Sequence, residues 1–319
     1  MNGAIGPIRI GISSCLLGDK VRYDGGHKHD RFLTDTLGRL VEWVPVCPEV
    51  EVGMGTPREP IQLVRRHGDI RLVGIRTETD HTDVMQGYAR RRVEQLADSG
   101  LSGFILKQDS PSCGLDRVRV HRDRGPATRT GRGLFASTLT QRFPNLPIEE
   151  EGRLHNPRLR EHWIERVCAY HRLQSLWTTR WRIDDLARFH AAHRFALLAH
   201  APPSYQRLRR LIARATALSQ AVLRERYERG FMAAFTVSAT RSRHVTVLRL
   251  LLGRVSDGLD EPAYRELLDR IHGYRRGLAP LIVPVSLIAH YVRIFDIDDL
   301  KGQEYLDPHP VELVLRHHV

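Results

Sequence analysis

Cysteine is scarce in this chain: there are four in 319 residues, and none falls in a CxxC pair. That spacing argues against the disulfide framework of a secreted domain and against the usual closed zinc site. No run approaches the roughly 18–20 apolar residues of a membrane span. The opening "MNGAIGPIRIGISSC" lacks a basic segment followed by an apolar one, so no signal peptide is read there. GxGxxG, P-loop and HExxH patterns are all missing. A cytoplasmic protein is expected, with no membrane partner and no protein partner inferred. At 41% hydrophobic the chain can bury a real core, which excludes wholesale disorder.

Positive charge is abundant and uneven. Residues 1–150 hold 22 Lys+Arg against 19 Asp+Glu, a balance of +3; the remainder hold 27 against 18, or +9. This bias fits a polyanionic partner, above all nucleic acid. A basic host composition is the alternative.

The two regions differ in texture. Over 1–150, short apolar runs alternate with helical stretches: strands at 8–15, 43–50 and 102–108, helices at 30–43, 80–100 and 133–144, and a hairpin or two edge strands at 60–75. Such alternation predicts an α/β domain with a mainly parallel sheet. "EGRLHN" at 151–156 reads as a boundary. Beyond it, helical patterns run near 157–176, 183–200, 204–228, 241–256, 260–276 and 280–295, with Pro202-Pro203 as a break. Residues 151–319 are therefore expected to form a basic all-α domain.

Three of the cysteines follow predicted strands: Cys15 the first, Cys47 the second and Cys113 the third. Ligands of parallel α/β sheets sit outside the carboxyl ends of strands, so these thiols can meet in one crevice. Three thiolates on a 4Fe-4S cluster would leave one iron open as a soft Lewis acid. Three buried, idle cysteines are the other reading at this point.

The blocks "CLLGDKVRYDGGHK", "PVCPEVEVGMGTPREPIQL" and "LKQDSPSCG" together resemble the iron–sulfur thiouracil desulfurase family over roughly residues 8–145. In the second half, "FHAAHRFALLAH", "PPSYQRL" and the ending "QEYLDPHPVELVLRHHV" resemble a family of formerly unknown function that is found fused to that domain. The pair resembles enzymes that remove sulfur from 4-thiouridine in transfer RNA. The resemblance implies Cys15, Cys47 and Cys113 as ligands of a 4Fe-4S cluster with one open iron, and Glu49 and Ser110 as catalytic. Cys168 has no counterpart and is expected to be a packed helix residue.

Other polar residues crowd the same blocks. Asp24, in the turn "RYDGG", either holds a proton or caps the turn. Asp109 and Ser112 are expected to satisfy backbone amides. Arg58 and Glu59 are read as an ion pair that fixes their loop, with Arg58 touching a phosphate as the alternative. Gly53 and Gly55 would permit a tight backbone path.

In the helical half, His190, His193 and His200 share a face but lack an acidic partner nearby, so satisfied buried histidines are expected. Arg207, Arg210 and Arg214 mark a basic surface able to hold transfer RNA by its phosphates while one modified base enters the crevice. Two alternatives remain: a desulfurase of free thiouracil or thionucleosides, and a nucleic-acid-binding protein whose cluster is structural or sensing.

Overall fold

The structure, a computed structural model, describes residues 6–122 and 125–308; the last eleven residues of the quoted "QEYLDPHPVELVLRHHV" lie outside them. The chain divides into two compact units, residues 1–163 and 164–319. The boundary expected at 151 coincides with a short helix, α4 (Glu151–Leu154), and helix α5 (Pro157–Trp177) runs through the division.

In the first unit, strands β1 (Ile8–Ser13), β2 (Val41–Val46), β5 (Leu101–Leu106) and β8 (Ile148–Glu150) form one all-parallel sheet in the order β2-β1-β5-β8. All six residues of β5 are buried, the unbroken pattern of a parallel strand covered on both faces. Pairing sets Gly11 beside Phe104. A Cβ on Gly11 would lie 2.2 Å from the Phe104 ring, so glycine there makes room for a fully buried aromatic. Phe104 in turn meets Phe135 of helix α3 (Leu134–Arg142), with ring centroids 6.0 Å apart, and α3 packs on helix α2 (Thr82–Ala97). Burying such a ring contributes about 1.5–3 kcal/mol.

The register fixes what shares an edge. Ser13 lies beside Val46 and Ile12 beside Ile105, so the residues that follow all three strands emerge at the same end of the sheet. A second, mixed sheet holds β3 (Ile61–Arg66) and β4 (Asp69–Gly74), the expected hairpin, together with β6 (Val118–Arg122) and β7 (Thr128–Gly131), in the order β4-β3-β6-β7. The sequence pattern missed β6, β7 and β8. It also ran the helix at 30–43 too far. That segment is a turn of π-helix and a short 3-10 turn, and Trp43 belongs to β2.

The second unit is helical: the C-terminal part of α5, then α6 (Ile183–Ala192), α7 (Arg194–His200), α8 (Pro202–Ala213), α9 (Gln220–Thr236), α10 (Arg241–Val255), α11 (Glu261–Arg275) and α12 (Ile282–Ile294). Three starts are capped by side chains the sequence supplies. Ser219 accepts from Val222 N, Thr240 from Arg243 N and Asp260 from Ala263 N, each worth about 1 kcal/mol. Pro202 and Pro203 open α8 rather than only separating helices, since proline is tolerated in a first turn. The expected helix at 183–200 breaks at His193, and that at 204–228 breaks at a 3-10 turn, Ala215–Ala217. Among the described residues no helix is long and apolar enough to cross a membrane.

The three histidines are buried and engaged. His190 Nδ1 lies 3.1 Å from the Tyr227 hydroxyl, and its ring stacks on Tyr205. His193 and His200 turn Nδ1 to the carbonyls of Phe189 and Val237, at 2.8 and 2.7 Å. Cys168 is buried within α5, and burial raises its thiol pKa. Burial, first of all, pushes His190 down to about 4 and His193 to about 3. The unfolded chain protonates both near the ordinary value of 6.5, whereas the folded unit keeps them neutral. Their stabilising contribution is complete above that pH and is lost as pH falls towards the folded values. Circular dichroism melts of the full chain should show a midpoint falling between about pH 7 and 5, with a shallower fall in the double variant His190→Gln/His193→Gln. A wild-type midpoint flat across that window would contradict this account.

Candidate active site

Each cysteine sits in a turn at the shared edge of the parallel sheet. Cys15 lies in the 3-10 turn Ser14–Leu17 directly after β1, closed by Gly18 at φ 101°. Cys47 follows β2 and is the extended cap residue of the one-turn helix α1 (Pro48–Glu51). Cys113 lies in the turn after β5, where Gly114 N donates to Ser110 O and Gly133 N to Gly114 O, both at 2.8 Å. Any Cβ on Gly133 would stand 2.3 Å from Ser112 O, so only glycine lets α3 start against this turn.

The three thiols line one cavity of about 370 Å³, together with Glu49, Arg58 and Ser110. Cys15 and Cys113 are buried, Cys47 is half-buried and none is in a disulfide. Burial pushes the Cys15 thiol up to about 12, with Cys47 adding to it; burial likewise raises Cys47 and Cys113. A bound cation would favour their thiolate forms. Among the described residues no three His, Cys, Asp or Glu are arranged to hold a single ion. Three soft sulfur donors spread around a cavity suit a thiolate-held iron–sulfur cluster better than a hard cation. Arg58 Nε, buried at the same site, has no hydrogen-bond partner, as expected of a group that a ligand or water completes.

Glu49 is held from two sides. Its Oε2 pairs with Arg58, and its Oε1 accepts from Ser112 Oγ at 2.6 Å. Arg58 also donates to the carbonyls of Val21 and Gly55 at 3.0 and 2.9 Å. A carboxylate only accepts, so the Ser112 proton points to Glu49. Ser110 Oγ, 3.0 Å from Ser112 Oγ, must then be the donor in that contact. Ser110 Oγ itself accepts from Ser112 N and Cys113 N at 3.3 and 3.1 Å. The result is a directed chain, Ser110 to Ser112 to Glu49.

The geometry revises several expectations. Arg58 pairs with Glu49 and not with its neighbour Glu59, which accepts instead from Arg76 N, Thr77 N and the Thr77 hydroxyl. Ser110, not Ser112, satisfies the backbone amides of the turn, while the fully buried Ser112 touches the carboxylate. Asp24 is not brought to the cavity lining; it accepts from Gly26 N at 3.0 Å and holds its own turn. Asp109 pairs with Arg129 at 3.0 Å. Gly53 and Gly55, at φ 94° and 72°, do take left-handed backbone that other residues avoid. Lys107 lines the cavity and pairs with Glu151, a role that sequence reasoning passed over although a lone charge ends an apolar strand there. In the helical unit Arg207, Arg210 and Arg214 are exposed; Arg207 donates to Ser204 Oγ at 2.6 Å, and Arg214 ends α8.

Breaking the buried pair has a clear expected effect. Arg58→Met leaves Glu49 charged beside three thiols and should lower stability by about 3 kcal/mol in denaturant unfolding, with part of the loss recovered in Glu49→Gln/Arg58→Met.

Comparison with known proteins bears on the same region. The model of the 2-thiouracil desulfurase family matches residues 10–151, and that of a family of proteins of unknown function (DUF1722) matches residues 194–310. Uncharacterized protein YbbK of Bacillus subtilis is 31% identical over 138 residues, covering 41% of this chain and 88% of that protein. Uncharacterized protein YbgA of Escherichia coli is 28% identical over 153 residues, covering 48% of this chain and 90% of its own length. Among solved structures, a 4Fe-4S-dependent thiouracil desulfidase, TudS, is 31% identical, with a TM-score of 0.39, over 46% of this chain and 93% of that one.

Proposed function

Because this chain belongs to the 2-thiouracil desulfurase family, we propose that it replaces sulfur by oxygen at C4 of 4-thiouridine in transfer RNA and releases hydrosulfide. The observation that carries this reading is the meeting of three cysteine turns with the Ser110–Ser112–Glu49 chain at one cavity. Cys15, Cys47 and Cys113 would hold a 4Fe-4S cluster, whose open iron supplies a soft Lewis acid for a C=S sulfur.

The protein's own residues supply the rest. Water adds its oxygen to the ring carbon, the C–S bond breaks and the carbon keeps its oxidation state. Two protons must move. Glu49, held as a carboxylate by Arg58, takes one from the attacking water as general base and returns it to the departing sulfur. Ser110, on releasing one of the two turn amides it accepts from, takes the second proton from the new hydroxyl on the ring carbon and passes it through Ser112 to Glu49, along the direction that the hydroxyls already point. The free, reduced thiols suit a cytoplasmic setting.

Transfer RNA docks on the helical unit in this reading. Arg207 and Arg210 lie one turn apart on α8 and Arg214 follows, so the three can face one run of phosphates. The surplus of +9 over residues 151–319 supplies the wider field. A single base in a folded RNA is then reached by extrusion into the cavity.

The test is anaerobic. After cluster reconstitution, thiolated transfer RNA should lose its thiocarbonyl absorbance and release hydrosulfide. Alanine at Cys15, Cys47 or Cys113 should abolish both the cluster's visible absorbance and turnover. Glu49→Gln should lower kcat by about 10²- to 10⁴-fold. In a separate binding assay, Arg207→Glu/Arg210→Glu should weaken RNA affinity and flatten its dependence on salt by about one unit of slope per lost contact. Unaltered affinity and slope would remove the docking surface from the proposal.

A further inference from the structure

One buried hydroxyl beside the third cysteine has no part in the proton path. Ser13 ends β1, is 3% exposed and reaches the cavity wall. The pairing of β1 with β5 stops at Ile12 and Ile105. Beyond it, Lys107 N donates to Ser13 Oγ at 3.0 Å, so a side chain supplies the next rung in place of a backbone carbonyl. That bond uses a lone pair of the oxygen and leaves the hydroxyl proton to be placed. Buried, such a proton needs an acceptor.

The acceptor is the Cys113 sulfur. Burial, with Glu49 adding to it, pushes that thiol up, and the Ser13 and Ser112 hydroxyls bonded to its sulfur act the other way. Ser112 stands 3.6 Å from Sγ, but it has one proton, and Glu49 takes it at 2.6 Å. That leaves Ser13 as the hydroxyl that serves the sulfur. The other two thiols are served differently. At Cys47, which caps α1, burial is opposed by the Val50 and Glu49 amides of that turn. At Cys15, burial and Cys47 are opposed by the charges of Lys107 and Arg22. A hydrogen bond to a thiolate withdraws electron density from its sulfur, so the iron it binds accepts electrons more readily.

Resting on the reading of Cys15, Cys47 and Cys113 as the ligands of an iron–sulfur cluster, we propose that Ser13 is a positioning residue of this site: its hydroxyl, held in place by Lys107 N, donates to the Cys113 sulfur and strengthens the electron-accepting character of the group that the three cysteines hold. Ser13 acts through Cys113 and not on the substrate. A residue that only extended the sheet by one rung would use the oxygen's lone pair and be indifferent to the proton, and this difference is measurable.

The full chain with its reconstituted cluster tests this without substrate. Ser13→Ala should move the cluster's midpoint potential to a more negative value, because the sulfur loses a donor. In resonance Raman spectra the iron–cysteine stretching bands of the wild type should shift on first mixing with heavy water, at the rate of a hydroxyl and not of a buried amide. Ser13→Ala should lose that early shift. Ser13→Thr should restore both signals, and Ser13→Val, with the shape of threonine but no hydroxyl, should not. With thiolated substrate, kcat of Ser13→Ala should fall about tenfold while KM holds. An unchanged potential and unchanged bands in a Ser13→Ala chain that melts like the wild type overturn the inference and leave Ser13 a rung of the sheet. Should neither hydroxyl-free variant fold, the wild-type spectrum decides: an early deuterium shift supports the inference and its absence overturns it. A chain that assembles no cluster on the three cysteines defeats the ligand reading and this inference with it. A cluster that responds to Ser13 but converts no thiolated substrate keeps the inference and defeats the desulfurase reading; conversion by a cluster indifferent to Ser13 does the reverse.

Discussion

Parallel pairing of β1 with β2 and β5 is the constraint from which the rest of the first unit follows. Because the three strands run the same way and in register, whatever follows them emerges together. Three turns far apart in sequence then share one cavity, and each brings a thiol. The sheet pairing is in turn secured by close packing, with Gly11 yielding space to Phe104 and Phe104 meeting Phe135 of α3. A packing decision in the middle of the sheet is therefore felt at its edge.

At that edge the protein places charge under strict control. Three thiols in a partly dry cavity resist ionisation, and a carboxylate beside them would be costly alone. Arg58 offsets that cost from below the surface, at 6% side-chain exposure, while Ser112 fills the second oxygen of Glu49. The acid is thus paired, oriented and linked to a hydroxyl chain before any substrate arrives.

Much of this was legible in the sequence, unevenly. The strands at β1 and β5 declared themselves as short apolar runs bounded by turns, and the three cysteine blocks carried the family resemblance. The helix at 30–43 was overextended because Leu40, Val41 and Trp43 suit a helical face as well as a strand, an ambiguity that short apolar runs cannot resolve. β7 reads "TRTG", too polar and too short to stand out. The partner of Arg58 was misjudged because adjacency in sequence suggested Glu59, whereas a tertiary turn brought Glu49 from nine positions away. Asp24 was open to two readings, holding a proton or capping its turn, and its carboxylate accepts from Gly26 N within that turn. Side-chain pairing across loops is settled by the fold, and no local pattern announces it.

The bond from Gly133 N to Gly114 O closes the base of the stretch that carries β6 and β7. With its neck tied next to the third cysteine, that excursion can be lengthened at the β6–β7 connection without tugging on Cys113.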